Sequence, residues 1–193
     1  AFYSAMSMSE YNLIHSIIIH GGYYLMRLQG SSSTVKAKGN QIIGNRFLDF
    51  TYYGGYLQYQ DSLIVRGNYF KNQDSSTYAC YPLYLYYVSG AFRVEQNNMR
   101  INSVSSLYGI RLYYCDATST ERGLVANNMV SLTGASTYPY GIYNYSSDYV
   151  NFYNNTVLIA TASSPNSRCF YNSASDNLSF VNNAFINLSD VLI

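Results

Sequence analysis

Tyrosine is the most numerous aromatic residue in this sequence, with 24 copies in a chain of 193 residues that has no tryptophan. They recur in a short pattern, read as Tyr-Gly-Ile-Arg-Leu-Tyr over residues 108–113 and Tyr-Gly-Ile-Tyr-Asn-Tyr over residues 140–145. When each copy is aligned on one residue, the copies lie 27 to 32 residues apart. The aligned residues are Tyr56, Leu83, Ile110, Ile142 and Phe170.

With this alignment, strand geometry predicts which side chains lie on the outer surface. Successive side chains on a strand point to opposite faces, so residues one and three positions after an inward-facing residue point outward together. The alignment therefore predicts two outward columns of tyrosine with one arginine among them. The binding residues expected in these columns are Tyr59, Tyr84, Tyr86, Arg111, Tyr113, Tyr143, Tyr145 and Tyr171.

Stacked phenol rings would form a flat, amphipathic surface that carries many hydroxyl groups. We expect such a surface to bind an extended glycan or a protein partner, because tyrosine is favoured at interfaces. Two other interpretations remain open. The tyrosines could stack only because aromatic residues favour strands, or they could lie beneath an adjoining domain.

Three aspartates form a second regular set. Asp116, Asp148 and Asp176 each lie six positions after the aligned residue, which predicts a stack on the turn that leaves the tyrosine strand. Such carboxylates could bind Ca²⁺, which prefers several oxygen ligands. They could also provide the acid and base of a glycoside hydrolase, whose carboxyl groups lie ~5 or ~6.5–9.5 Å apart. The simpler interpretation is a turn residue that hydrogen-bonds the backbone just ahead of it.

A repeated asparagine indicates the elements that position these side chains. Apolar residues stand three positions before it and two positions after it, and the intervals of 23 to 31 residues are typical of repeat architectures. The choice of Asn97 over Asn98 rests on this fit. We expect each asparagine to adopt the left-handed conformation at a bend and to join a ladder of side-chain amides. The repeated residues are Asn45, Asn68, Asn97, Asn128, Asn155 and Asn183.

Within each repeat, apolar residues alternate with period two, which indicates short strands. Such strands bury their apolar face only by stacking one repeat on the next, with coils ~4.8 Å apart. The differences in interval then fall in polar loops at 72–80, 116–122, 133–139 and 161–166. The chain is predicted to form one solenoid domain over residues 1–193, with the clearest repeats at 40–190.

The run over residues 140–145, followed by Val-Asn-Phe-Tyr-Asn-Asn-Thr-Val over residues 150–157, resembles the repeat of right-handed parallel β-helix proteins. These form the pectate-lyase-like superfamily, which includes carbohydrate-binding and sugar-hydrolase repeat domains. The resemblance implies an all-β fold, a single-stranded right-handed parallel β-helix (solenoid) of about six to seven coils. It does not imply one activity, because this fold hosts lyases, hydrolases, adhesins and phage tailspikes.

Composition excludes several classes of function. Charged residues make up 11% of the chain and the net charge is +1, so no basic face predicts nucleic-acid binding. No apolar run reaches the ~20 residues that span a bilayer, so no membrane insertion is expected.

The apolar start at Ala1 and end at 190–193 lack the polar caps of a solenoid, which predicts a segment of a longer chain. Cys80, Cys115 and Cys169 are expected to be buried, the alternative being one disulfide and one free thiol.

Two classes of function lead, and a purely structural spacer or a translocation cargo segment held by other chains is the remaining alternative. The first is a non-catalytic module, secreted or on the cell surface, that binds a polysaccharide or a protein of the cell surface or secretion machinery. The second is a polysaccharide lyase or glycoside hydrolase, as the resemblance allows. Low charge and the lack of a clear acid–base cluster favour the first class. No cofactor is predicted apart from Ca²⁺ at the three aspartates.

Overall fold

The computed structural model describes residues 2–4, 9–74, 76–161 and 164–189, and their regular structure consists of strands. No helix in these residues is long and apolar enough to cross a membrane. The strands are β1 (Phe2–Ser4), β2 (Leu13–His15), β3 (Ile18–Gln29), β4 (Ala37–Lys38), β5 (Gln41–Ile43), β6 (Arg46–Asp61), β7 (Ile64–Arg66), β8 (Tyr69–Asn72), β9 (Tyr81–Ser89), β10 (Arg93–Glu95), β11 (Asn98–Asn102), β12 (Leu107–Tyr113), β13 (Gly123–Ala126), β14 (Met129–Gly134), β15 (Pro139–Tyr145), β16 (Val150–Tyr153), β17 (Thr156–Thr161), β18 (Arg168–Ser173), β19 (Ser179–Val181) and β20 (Ala184–Asn187).

The strands wind into a solenoid in which each strand pairs in parallel with the equivalent strand of the next coil. One sheet, the flank sheet, contains β2, β5, β7, β10, β13, β16 and β19. The ladder-side face follows it in each coil and contains β8, β11, β14, β17 and β20, with the first parts of β3 and β6. The tyrosine face comes third and contains β9, β12, β15 and β18, with the second parts of β3 and β6. The predicted all-β parallel solenoid is confirmed, with about six turns where six to seven were expected.

The core lies between these three faces and is built from one set of apolar side chains per coil. The residue three positions before each ladder asparagine and the residue two positions after it are buried in the middle coils, as Val94 and Met99 illustrate. Burying such a side chain stabilises a fold by about 1.5–3 kcal/mol. The three cysteines are buried and free, as the simpler interpretation predicts. Phe180 and Phe185, in the last described coil, are 46% and 40% exposed.

The asparagine ladder runs along one edge of the core. Each side-chain amide donates to the Oδ1 atom of the next asparagine at 2.9–3.0 Å, from Asn45 through to Asn183. Each amide also donates to a backbone carbonyl of the flank sheet in the preceding coil, as from Asn97 to Val65. From Asn68 onward, each Oδ1 atom accepts a second bond from a backbone N–H, as Asn97 Oδ1 does from Asn68. The buried amides are therefore fully paired, and they lock neighbouring coils into register.

The expectation that the ladder asparagines themselves are left-handed is wrong. The residue with positive φ is the one directly before each of them, such as Gly44, Gln96 and Asn127 with φ of 64°, 57° and 55°. This preceding residue turns the chain so that the following side chain points inward along the ladder. Ile17 occupies the equivalent place in the first coil, where its N–H donates to Asn45 Oδ1 at 3.1 Å.

The tyrosine face departs from simple alternation at one position. In β12 two successive residues, Gly109 and Ile110, both face the core. A Cβ atom on Gly109 would lie 2.3 Å from the Gly141 carbonyl oxygen and 2.4 Å from Val130 Cγ1, so only the glycine backbone fits so close to its neighbours. As a result, the residue before the glycine and the residue two positions after it both point outward.

The predicted loops overlap the segments between strands at 73–80, 114–122, 135–138 and 162–167, but Asn72, residues 133–134, Pro139 and Thr161 belong to strands. Residues 75, 162 and 163 of these loops lie outside the described residues. So do Ala1 and residues 190–193, on which the prediction of missing caps depends.

Replacing Asn97 by Ala is expected to lower the free energy of unfolding by about 3 kcal/mol, because buried donors of Asn68 and the acceptor of Val65 lose their partners. Asn98→Ala is the matched control, since the Oδ1 atom of Asn98 has no hydrogen-bond partner. That change should lower stability by less than about 1 kcal/mol. Urea unfolding measures both values, and equal losses would contradict the ladder's role.

Neighbouring glycines test the close approach on the tyrosine face. A Cβ atom on Gly54 would lie 2.6 Å from the Pro82 carbonyl oxygen, whereas one on Gly55 would meet nothing nearer than 3.5 Å. Gly54→Ala should therefore destabilise the fold by roughly 1–3 kcal/mol. Gly55→Ala should be neutral or slightly stabilising, because it restricts the unfolded chain. Thermal melts measure the stability of the two variants. A Gly55→Ala variant that is less stable than Gly54→Ala would refute the close approach at Gly54.

Candidate binding site: the tyrosine face

The outer side of the tyrosine face carries three columns of side chains, each advancing one residue per coil. The first column contains Tyr24, Tyr53, Tyr81, Tyr108 and Tyr140. The second column contains Arg27, Tyr56, Tyr84, Arg111, Tyr143 and Tyr171. The third column contains Gln29, Gln58, Tyr86, Tyr113, Tyr145 and Ser173.

Seven of the eight residues predicted from the sequence lie where the alignment placed them. The second column contains Tyr84, Arg111, Tyr143 and Tyr171, and the third contains Tyr86, Tyr113 and Tyr145. The placement of Tyr59 is wrong because Gly55, and not Tyr56, pairs with Leu83. Tyr59 instead lies at the edge of the face beside Tyr87, with a left-handed φ of 54°.

Strict alternation of strand residues does not predict the first column. The inward glycine that follows each of its members in Tyr53-Gly54, Tyr108-Gly109 and Tyr140-Gly141 shifts the outward positions by one. A sequence signal for it exists, since an isolated glycine inside a strand pattern often marks a close backbone approach. The recurrent Tyr-Gly pair is therefore the feature that identifies this column.

The rings of the first column stack face to face along the solenoid. Successive centroids lie 4.6, 5.1, 4.7 and 5.3 Å apart, and the planes differ by 11–23°. Some rings of neighbouring columns meet edge to face, as Tyr108 and Tyr143 do at 5.5 Å and 77°, and others stack, as Tyr81 and Tyr84 do at 5.7 Å and 24°. Each such pair contributes about 0.5–1.5 kcal/mol beyond its buried area. The rings therefore hold one another in a preformed surface.

Arg111 lies in the middle of this surface, enclosed by tyrosines. Its guanidinium carbon is 4.6 Å from the ring centroid of Tyr84 and 5.0–5.4 Å from four others, those of Tyr81, Tyr108, Tyr113 and Tyr143. Cation–π attraction favours this arrangement. Its Nε atom is buried without a hydrogen-bond partner, and none of the ion pairs among the described residues includes Arg111.

Burial controls the protonation of the face. Desolvation raises the pKa of Tyr56 to about 12 and raises the pKa values of Tyr81, Tyr84 and Tyr108. The nearby Arg111 cation opposes the rise in pKa at Tyr81, Tyr84 and Tyr108. These hydroxyl groups therefore remain protonated at neutral pH, where each can donate a hydrogen bond as well as accept one.

The three aspartates stack on the turn that leaves the tyrosine face. Asp116 Oδ1 accepts the backbone N–H of Asp148 at 3.4 Å, and Asp148 Oδ1 accepts that of Asp176 at 2.7 Å. Desolvation raises the pKa of Asp116, and repulsion from Asp148 adds to the rise. Among the described residues no three His, Cys, Asp or Glu side chains are grouped to hold a metal ion. The geometry is that of a turn ladder, and Ca²⁺ binding there remains a prediction.

Alkaline titration is expected to unfold the protein cooperatively. A free tyrosine ionises near pH 10, so the protonated columns stabilise the fold fully below that pH. Because the folded-state pKa values are raised, this stability is lost as the pH rises above 10 toward the pKa of Tyr56 at about 12. Tyrosinate absorbance and far-ultraviolet circular dichroism should change together, with the urea-unfolded chain titrating lower as a control. Ionisation near pH 10 with unchanged dichroism would be inconsistent with buried columns.

Comparison with known proteins agrees with this architecture. A family described as the right handed beta helix region matches residues 3–157. Searches of curated proteins and of solved structures find no match. The family match, together with the parallel coils, confirms the predicted handedness and fold. The chain belongs to the right-handed β-helix family.

Proposed function

We propose that this chain is a non-catalytic module, outside the cell or on its surface, that binds an extended glycan through the tyrosine face. The observation that supports this most directly is the alignment of three outward columns at the coil spacing, with ring stacks in the first column at 4.6–5.3 Å. A long ligand running along the solenoid axis would meet an aromatic ring at each coil.

The chemistry of the face suits sugars. Because the rings of the first column stack face to face, they can offer a ligand their edges and hydroxyl groups, and these hydroxyl groups can bond the sugar hydroxyls. The rings are already held by their neighbours, so binding would order few side chains and lose little entropy. Arg111 adds hydrogen-bond donors in the centre of the face.

Catalysis is less well supported. Hydrolysis of a glycosidic bond needs two carboxyl groups that flank it. The three columns contain none, and the nearest regular set of carboxylates, that of Asp116 and Asp148, accepts backbone N–H groups. The alternative of a polysaccharide lyase or glycoside hydrolase therefore rests on the family, which includes many activities.

A protein of the cell surface or secretion machinery is the second candidate partner. Tyrosine and arginine are the residue types most often found at the energetic centres of protein interfaces. The group formed by Arg111 and the rings of Tyr81, Tyr84, Tyr108, Tyr113 and Tyr143 has that composition.

A triple variant, Tyr84→Ser with Tyr113→Ser and Tyr143→Ser, tests the proposal. Loss of three phenol hydroxyl contacts, each worth about 0.5–1.5 kcal/mol as a hydrogen bond, should weaken glycan binding by about tenfold or more. The control changes three tyrosines outside the face, Tyr11, Tyr69 and Tyr153, to Ser. A glycan array followed by titration of the positive glycans gives the affinities, and circular dichroism verifies the fold of both variants.

The outcomes separate the candidates. Equal glycan affinity in the two triple variants would refute binding through the tyrosine face. Release of reducing sugar ends, or of unsaturated products, from a bound polysaccharide would support the enzyme instead. Binding of surface proteins with no glycan on the array would favour the second candidate partner.

A further inference from the structure

The ladder-side face carries a groove that the tyrosine columns do not share. Its volume is about 510 Å³, which is within the range of about 300–1,000 Å³ found for small-molecule sites. The outward side chains of β8, β11, β14, β17 and β20 form its floor. Residues after β8, among them Asp74, stand at its side. It is therefore a concave site on a different face from the tyrosines.

One column of outward side chains sets the polarity of the groove. Strand register places Lys71 beside Arg100, Arg100 beside Ser131, Ser131 beside Leu158, and Leu158 beside Ile186. At ~4.8 Å per coil, these four steps span about 19 Å. The column is cationic at one end and aliphatic at the other.

The cationic end lacks matching negative charge. Arg100 is exposed, and no hydrogen bond or ion pair joins it to another described residue. Lys71 Nζ lies 3.5 Å from Asp74 Oδ2, but both side chains are exposed, and such a pair contributes little. Two cations and one carboxylate therefore face the groove, and Arg100 remains available to an anion.

The aliphatic end is open to solvent. Ile186 is 43% exposed and lines the groove with Leu158, and Met129, which is 50% exposed, lines it from the neighbouring outward column beside Thr156. Isolated exposed apolar side chains are ordinary on protein surfaces, but several that line one concave site favour a small-molecule ligand. The groove thus joins an apolar track to a cationic end.

We propose that this groove binds a single-chain aliphatic acid. The carboxylate pairs with Arg100 and Lys71, because guanidinium and carboxylate form strong charge-assisted hydrogen bonds. The hydrocarbon chain lies along Met129, Leu158 and Ile186, where it removes their exposed surface from water. A free acid fits better than a membrane surface, because interfacial binding requires a projecting apolar face. This site is independent of the tyrosine face.

The absence of tryptophan from the chain allows a direct test. Thr156→Trp places a single tryptophan on the groove wall, so its fluorescence reports occupancy. Titration with dodecanoate below its micelle concentration should give saturable binding. Affinity should rise by about fourfold per methylene across decanoate, undecanoate and dodecanoate. Dodecanol and dodecylammonium, which share the chain and lack the negative charge, should bind at least tenfold more weakly.

Substitutions in the reporter protein locate the site. Arg100→Gln should weaken dodecanoate binding by about tenfold, whereas Arg66→Gln, an exposed arginine of the flank sheet, should leave it unchanged. Leu158→Ser should also weaken binding, with Leu13→Ser on β2 as its control. Equal affinity for dodecanol and dodecanoate, or an unchanged affinity in Arg100→Gln, would overturn the proposal. Binding to anionic vesicles with none to monomeric dodecanoate would also overturn it, in favour of a membrane surface.

Discussion

The hydrogen bond between successive ladder amides is the interaction on which the rest of this structure depends. It joins coil to coil inside the core, where an unpaired amide would be costly. A slip of one residue would break it and would also turn the apolar side chains of that strand outward. The register of the flank sheet and of the ladder-side face is therefore fixed from within. Beyond the loops that follow, strand pairing keeps the tyrosine columns in the same register.

Much of this arrangement can be predicted from the sequence, because both the ladder and the columns repeat with the period of the coil. The ladder residues, including Asn97 in place of Asn98, follow from their apolar flanks. Most of the second and third columns follow from alternation alone. These predictions succeed where one local rule, period two within a strand, applies unchanged.

The remaining features come from the local turn or from contacts between coils, and alternation within a strand predicts neither. The left-handed residue lies one position before the ladder asparagine, because the turn must precede the side chain that it directs inward. The Tyr56 coil pairs one residue away from its apparent alignment, so Tyr59 leaves the columns. The groove has no sequence signal at all, since its column reads Lys, Arg, Ser, Leu and Ile and shares no residue type. Only the register brings these residues together.

The length of each column in this solenoid is a whole number of coils. Each column advances by one coil spacing, so gain or loss of one repeat would extend or shorten the tyrosine face by a single row of side chains. The local chemistry of the other rows would stay the same. Recognition of a polymer could then be adjusted by duplicating a segment of the gene, with no redesign of individual contacts. The surface would change in length by whole repeats during evolution.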